Sequence, residues 1–185
     1  TTEQAHEYAA EGLDGPVQVQ HHHAHAASLL AEHERERAIV ITADGTGYGP
    51  DGTIWGGEVL DTTPSDYERV GGLAPFRLPG GDAAIESPTR ILAGLLDADE
   101  RIETLLVDRG VVERRSDATT IRQQAERGVN SPVTTSAGRI LDAASALLGI
   151  CPERSYEGEP AMRLEAAATE GAPLEVPVAR TVTGG

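Results

Sequence analysis

The spacing of apolar residues along this chain changes several times, and each change marks a new element. Val17 to Gln20 alternates apolar and polar residues and predicts a short strand. From His21 to Glu34 alanine and leucine recur with few breakers, which predicts a helix. The apolar run AIVITA predicts a buried strand that ends at Asp44. In DGTGYGPDGTIWGGEVL, Pro50, Asp51 and Gly52 supply turn chemistry and Thr53 to Leu60 predicts a second strand. Tyr67 to Leu73 fits a third. Past the loop PFRLPGGDAA, helical patterns cover Asp82 to Leu96, Asp99 to Asp108 and Asp117 to Arg127. The cleanest period runs from Ser136 to Gly149, with Ile140, Leu141, Ala144, Leu147 and Leu148 on one face and a glycine stop. Thr2 to Glu11 also has helix-forming composition, closed by Gly12, Gly15 and Pro16. Consecutive strands followed by clustered helices predict an α/β or α+β layout. The last residues, VPVARTVTGG, close no recognisable element, so the natural chain is expected to continue beyond them.

Composition narrows the setting. Apolar residues make up 39% of the 185 residues, enough for a core, but with one Phe, one Trp and four Tyr that core must be mostly aliphatic. No apolar run approaches the roughly 20 residues of a membrane-spanning helix, and TTEQAHEYAAEG is acidic where a signal peptide would be basic. The lone Cys151 allows no internal disulfide, which agrees with a reducing, cytoplasmic setting and no membrane partner. Thirty acidic residues face 15 basic ones, all of them Arg, for a net charge of -15. Such a surface repels phosphate backbones and argues against nucleic acid as a partner. Excess acid with Arg in place of Lys also fits a halophilic protein kept soluble in concentrated salt; a GC-rich genome would account for the missing Lys but not for the acid.

The strongest chemical signal is HHHAH, His21 to His25. On a helix, residues four apart share a face with Cβ atoms about 5 to 6 Å apart, so His21 and His25 can grip one metal ion. His22 with His25, three apart, competes for that role, and a histidine is also a common structural residue. Asp44 ends an apolar strand at a glycine-rich turn, where a carboxylate can hold a metal or simply bond its own turn. Gly45, Gly47 and Gly49 permit close approach of a phosphate, although neither standard glycine-rich nucleotide motif is present. In PGGDAA, Gly80 and Gly81 offer backbone donors and Asp82 precedes a helix, where capping is the simpler role. Trp55, Gly56, Gly57 and Glu58 are expected to shape a strand, Ser136, Gly138 and Arg139 to start a helix with a surface arginine or an anion site, and Cys151 to be structural.

The segments VQVQHHHAHAASLLAEH, DGTGYGPDGTIWGGEVL, LPGGDAA and NSPVTTSAGRILDAASALLGI resemble, in this order, the transferase domain of hydrogenase maturation carbamoyltransferases, the HypF family. The resemblance covers nearly the whole chain. It implies a two-lobed, actin-like and sugar-kinase-like (ASKHA) α/β fold related to tRNA threonylcarbamoyl transferase, here incomplete. Residues 1–185 would form part of one domain, a metal-site lobe to about residue 80 and a helical portion from about 81, without the family's acylphosphatase-like, zinc-finger and adenylate-forming domains and without the C-terminal end that carries a further metal-site aspartate. The implied activity is transfer of the carbamoyl group from ATP-derived carbamoyl-adenylate to the C-terminal cysteine of a partner maturation protein, on the way to cyanide on the hydrogenase iron. The implied ligands of a divalent ion, iron or zinc, are His21, His25 and Asp44. Gly45, Thr46, Gly47, Gly80, Gly81 and Asp82 would bind the nucleotide. The partners implied are that maturation protein and the enzyme's own adenylate-forming domain. A tRNA-modifying relative or a non-catalytic metal-binding scaffold are the alternatives.

Overall fold

The computed structural model describes residues 18–96 and 100–168. The helix expected at Thr2 to Glu11 and the closing VPVARTVTGG lie outside the described residues. In chain order the elements are α1 (His21–Glu32), β1 (Ala38–Ile41), β2 (Gly47–Tyr48), β3 (Ile54–Trp55), β4 (Glu58–Thr62), β5 (Tyr67–Gly72) and β6 (Phe76–Arg77). There follow α2 (Asp82–Glu86), a 3-10 turn (Pro88–Arg90), α3 (Ile91–Leu95), α4 (Glu100–Asp108), α5 (Arg115–Arg127), β7 (Val133–Thr134), α6 (Ala137–Leu147) and α7 (Glu159–Ala167). Strands thus dominate the first part and helices the second. β7 is the exception, since it leaves the helical part to pair with β3 and β6.

Two sheets result. One has the order β1-β4-β5 and is antiparallel throughout; the other has the order β2-β3-β7-β6, in which β3 and β7 run parallel. The strand expected over Thr53 to Leu60 is divided between them. At Gly56 and Gly57 the backbone N–H groups turn to the Glu58 carboxylate, at 2.7 and 2.8 Å, instead of to a neighbouring strand. A glycine added a side chain at either place would strike the backbone of residues 135 and 136, so β3 and β4 part where the chain threads past the start of α6. The expected strand over Val17 to Gln20 is not formed by its described residues. Gln20 is instead the N-cap of α1, its side chain accepting from the His23 N–H at 2.8 Å.

Burial differs from expectation at two elements. The run AIVITA forms an edge strand whose Ile39 and Ile41 are 62% and 77% exposed, because α1 covers only the opposite face of its sheet. In α6 the face turned inward carries Arg139, Asp142, Ala143, Ser145 and Ala146, while Leu141, Leu147 and Leu148 are exposed. Small residues there let α6 lie close to α3, the 3-10 turn and α7. The continuous helix expected over Asp82 to Leu96 is broken at Ser87 and Pro88, since proline has no N–H to continue the ladder.

The apolar core lies among β6, α3, α4 and α5 and is built on Phe76, Leu78, Leu92, Ile102, Leu106 and Ile121. Each fully buried leucine or isoleucine contributes about 1.5 to 3 kcal/mol of transfer free energy. Among the described residues no helix is long and apolar enough to cross a membrane.

Candidate metal centre

The site is assembled where the first turn of α1 meets the end of β1. Gln20 fixes the helix start twice over, by its cap and by donating its amide N–H to the Tyr48 carbonyl at 3.1 Å. Asp44 is pinned through its backbone: its N–H donates to Gly56 O at 2.9 Å, and its carbonyl accepts from Gly138 N–H at 3.1 Å and from the Ser136 hydroxyl at 2.7 Å. Held in this way, its side chain turns back to α1. Asp44 Oδ1 accepts from the Gly45 N–H at 2.6 Å, and Oδ2 lies 2.9 Å from His21 Nε2 and 3.4 Å from His22 Nε2. Successive residues on a helix point about 100° apart, so a carboxylate lying between the two directions meets both rings.

His21, His22 and Asp44 each bring one donor atom to a group spanning no more than 4.8 Å, the one such group of three found among the described residues. His25 stands outside it, its exposed ring packed edge-on against His21 with centroids 4.7 Å apart. Of the three residues expected to hold a metal, the structure therefore joins His21 to Asp44 directly, and His25 to His21 only ring to ring.

His22 is 1% exposed, stacked parallel to the Trp55 indole at 6.3 Å, and its Nδ1 lies 3.4 Å from Glu58 Oε2. Glu58 is itself 0% exposed. Gly47 is required here, since a Cβ would stand 2.6 Å from His22 Cε1. Burial pushes the His22 imidazole below its ordinary pKa, against the pull of Glu58 and Asp44, which favours the neutral, metal-binding form. Burial raises Asp44, but hydrogen bonds from His21 and from the backbone of Gly45 and Thr46 outweigh it and hold the carboxyl below its ordinary value. Both His22 nitrogens are buried without a hydrogen-bond partner. Two imidazoles and a carboxylate so disposed fit a divalent ion of the zinc or iron kind.

The expected nucleotide residues fall into two places. Gly45 rests on the start of α6, where a Cβ on Gly138 would stand 2.9 Å from Gly45 Cα. Gly80, with positive φ, donates its N–H to the Asn130 carbonyl at 2.8 Å, before β7, whereas Ser136 follows β7. The two segments therefore meet the chain at different ends of β7, Gly45 at Ser136 and Gly80 at Asn130. Asp82 occupies the first turn of α2, where its charge suits the helix end. Arg139 is not on the surface as expected: it is buried and paired with Asp142 at 3.0 Å. Cys151 is buried, as expected of a structural residue, and its thiol donates to the Glu153 carbonyl. The residue that sequence reasoning missed is Glu58, behind His22. Its signal was an acid at an inward position of an otherwise apolar and glycine stretch, IWGGEVL.

Residues 40–183 match the family described as "Carbamoyltransferase, Kae1-like Domain, second subdomain". The chain belongs to the HypF carbamoyltransferase family. A carbamoyltransferase HypF of Rhodobacter capsulatus is 46% identical over 163 residues, covering 85% of this chain and 22% of its own length. A HypF homolog of Cupriavidus necator is 41% identical over 171 residues, covering 92% of this chain and 43% of its own. Among solved structures, HypF of T. kodakarensis superposes with a TM-score of 0.81 at 39% identity, over 96% of this chain and 25% of that one. A full-length HypF solved in a phosphate- and nucleotide-bound form gives 0.75 at 36% identity, over 89% and 26%. The chain thus spans between 20% and 43% of the length of the HypF relatives it matches. These relatives are named carbamoyltransferases, and the mixed α/β architecture of this chain is that of the HypF structures over the shared length.

Proposed function

We propose that the chain supplies part of the site at which a carbamoyl group passes from carbamoyl-adenylate to the C-terminal cysteine of a partner maturation protein, within an ASKHA-type fold and in the cytoplasm. The convergence of His21, His22 and Asp44 within 4.8 Å carries this reading, because it sets a metal-binding donor group beside a glycine loop. In the proposed assignment His21, His25 and Asp44 would hold a divalent ion, His25 standing beside the His21 ring. When bound, that ion neutralises charge on the adenylate phosphate.

The chain's own residues do the rest. The loop Gly45 to Gly47, whose Gly45 and Thr46 N–H groups hold the Asp44 carboxylate, would leave room for the phosphate where its glycines carry no side chain, and Gly80 to Asp82 would meet the nucleotide from their separate segment. Ser136 and Gly138, holding the Asp44 carbonyl, fix the loop in place before substrate arrives. The partner's thiolate attacks the carbamoyl carbon. A carbon–sulfur bond forms, the carbon–oxygen bond to the adenylate phosphate breaks, and AMP leaves with the electron pair. No covalent enzyme intermediate is needed.

Calorimetry with a non-hydrolysable carbamoyl-adenylate analogue tests the reading. Binding should require divalent metal and should be lost in Asp44→Asn. Binding that is indifferent to metal, or to Asp44→Asn, counts against it.

A further inference from the structure

A second enclosed space lies between the segment that follows Asp82 and the loop joining α6 to α7, and shares no lining residue with the donor group or the Gly45–Gly47 loop. Two hydrogen bonds tie its walls together. The Thr89 hydroxyl donates to the Pro152 carbonyl at 3.2 Å, and the Arg154 N–H donates to the Glu86 carbonyl at 3.1 Å. The cavity between them measures about 550 Å³, within the range of small-molecule sites.

Its inner wall is cationic. Arg90 and Arg154 both line it, half-buried. Among the described residues neither pairs with a carboxylate, although acids outnumber arginines 30 to 15 in this chain. Arg90 is held by donating from Nε to the Pro79 carbonyl at 3.1 Å and from Nη2 to Gln124 Oε1 at 3.4 Å, which leaves Nη1 without a partner among the described residues. Gly80 makes room for it, since a Cβ there would stand 2.7 Å from Nη2. Burial pushes Arg90 below its ordinary pKa, with no neighbouring charge to offset it. The Ser87 hydroxyl, on the same wall, is buried without a hydrogen-bond partner. Glu86, Glu153 and Glu157 also line the cavity, but they are exposed, and water screens them more than it does the half-buried guanidinium groups. A desolvated charge without a counter-ion and a buried hydroxyl without a partner both cost stability until a ligand satisfies them.

We propose that this cavity binds a small phosphate monoester bearing hydroxyl groups, a sugar phosphate either free or within a nucleotide, with its phosphate on Arg90, Arg154 and Ser87 and its hydroxyls donating to the exposed glutamates. Guanidinium forks match phosphate oxygens in pairs. Ionised carboxylates only accept, so the three glutamates favour hydroxyls and repel a second phosphate. Pro79 and Gly80 thereby serve as the support of the arginine that meets the phosphate. The site needs no metal and stands apart from the metal reading above.

Calorimetry of the full chain with a chelator present tests it without recourse to the metal site. Ribose 5-phosphate should bind more tightly than inorganic phosphate by about 10-fold or more, since bonds from its hydroxyls to charged groups add affinity. Arg90→Gln and Arg154→Gln should each weaken ribose 5-phosphate binding by about 10- to 100-fold, the effect of losing a charge-assisted bond. Arg35→Gln, on the surface after α1, should not. AMP tells the two sources apart: binding tighter than that of ribose 5-phosphate and lost in Arg154→Gln assigns a nucleotide, and weaker binding assigns a bare sugar phosphate. Should Arg90→Gln fail to fold, as judged by circular dichroism, Arg154→Gln decides the matter. No binding of ribose 5-phosphate, equal binding of inorganic phosphate, or an affinity unchanged in Arg154→Gln overturns the proposal.

Discussion

Arg139 and Asp142 form a buried ion pair on the inward face of α6, 3.0 Å apart. Burial pushes Arg139 below its ordinary pKa and Asp142 above, each only partly offset by the other's charge. Removing one partner leaves the other charged and dry, whereas replacing both removes two desolvation costs together. Asp142→Ala should therefore lose about 3 to 5 kcal/mol in urea unfolding, and the double variant Arg139→Met with Asp142→Leu should regain most of it. A double variant no more stable than Asp142→Ala would show that the pair acts through its shape and not through its charge. At the same scale, His21 and Asp44 were legible as metal-site candidates, because histidines in a helical register and an acid at a strand end are patterns in the sequence. His22 was legible only as a rival to His21 for pairing with His25, and Glu58 only as a strand residue. Their pairing depends on where the strand break at Gly56 and Gly57 sets two side chains 36 positions apart, and periodicity carries no information about that.

Among the elements, helix α3 packs against β6 so closely that a Cβ on Gly94 would stand 1.9 Å from the Arg77 carbonyl oxygen. In an open helix, Gly→Ala gains up to about 1 kcal/mol through propensity. Here the clash is with backbone, which cannot rotate away, and overpacking costs about 1 to 3 kcal/mol or more. Gly94→Ala should thus lower the thermal midpoint; a rise would mean that α3 slides freely over β6. The major helices and the strands β4 and β5 were legible from period and turn residues. Strands β2, β6 and β7 have two residues each, too short to show a period, and exist because partners elsewhere in the chain complete them. The face of α6 was misread for a related reason: a helix that packs closely turns alanine and serine inward, and its leucines are then left to other surfaces.

Over the whole molecule, 30 carboxylates against 15 guanidinium groups leave a repulsion that the folded state concentrates. The screening length falls from about 10 Å at 0.1 M salt to about 3 Å at 1 M. Salt also weakens surface ion pairs, but these are worth only about 0 to 1 kcal/mol each and there are half as many Arg as acids to form them, so relief of repulsion should prevail. The thermal midpoint should rise from low to molar KCl. A flat or falling midpoint would remove both this electrostatic account and the halophilic origin proposed for the chain.

The tie between Asp44 and the start of α6 joins positions 92 apart, and β3 pairs with β7 from a similar distance. Contacts of such range are late rewards in folding, because the loop between them must be closed before they form. The donor group of α1 and β1 is encoded within the first quarter of the chain, yet its loop stays unanchored until residues 134 to 138 arrive. A chain emerging from the ribosome therefore carries the histidines proposed to bind metal long before their site has a defined geometry. The lone tryptophan, Trp55, sits in β3 against His22 and is placed to report this moment. In refolding, its fluorescence should change in the slowest phase, together with the onset of zinc uptake and after the helical circular dichroism has recovered.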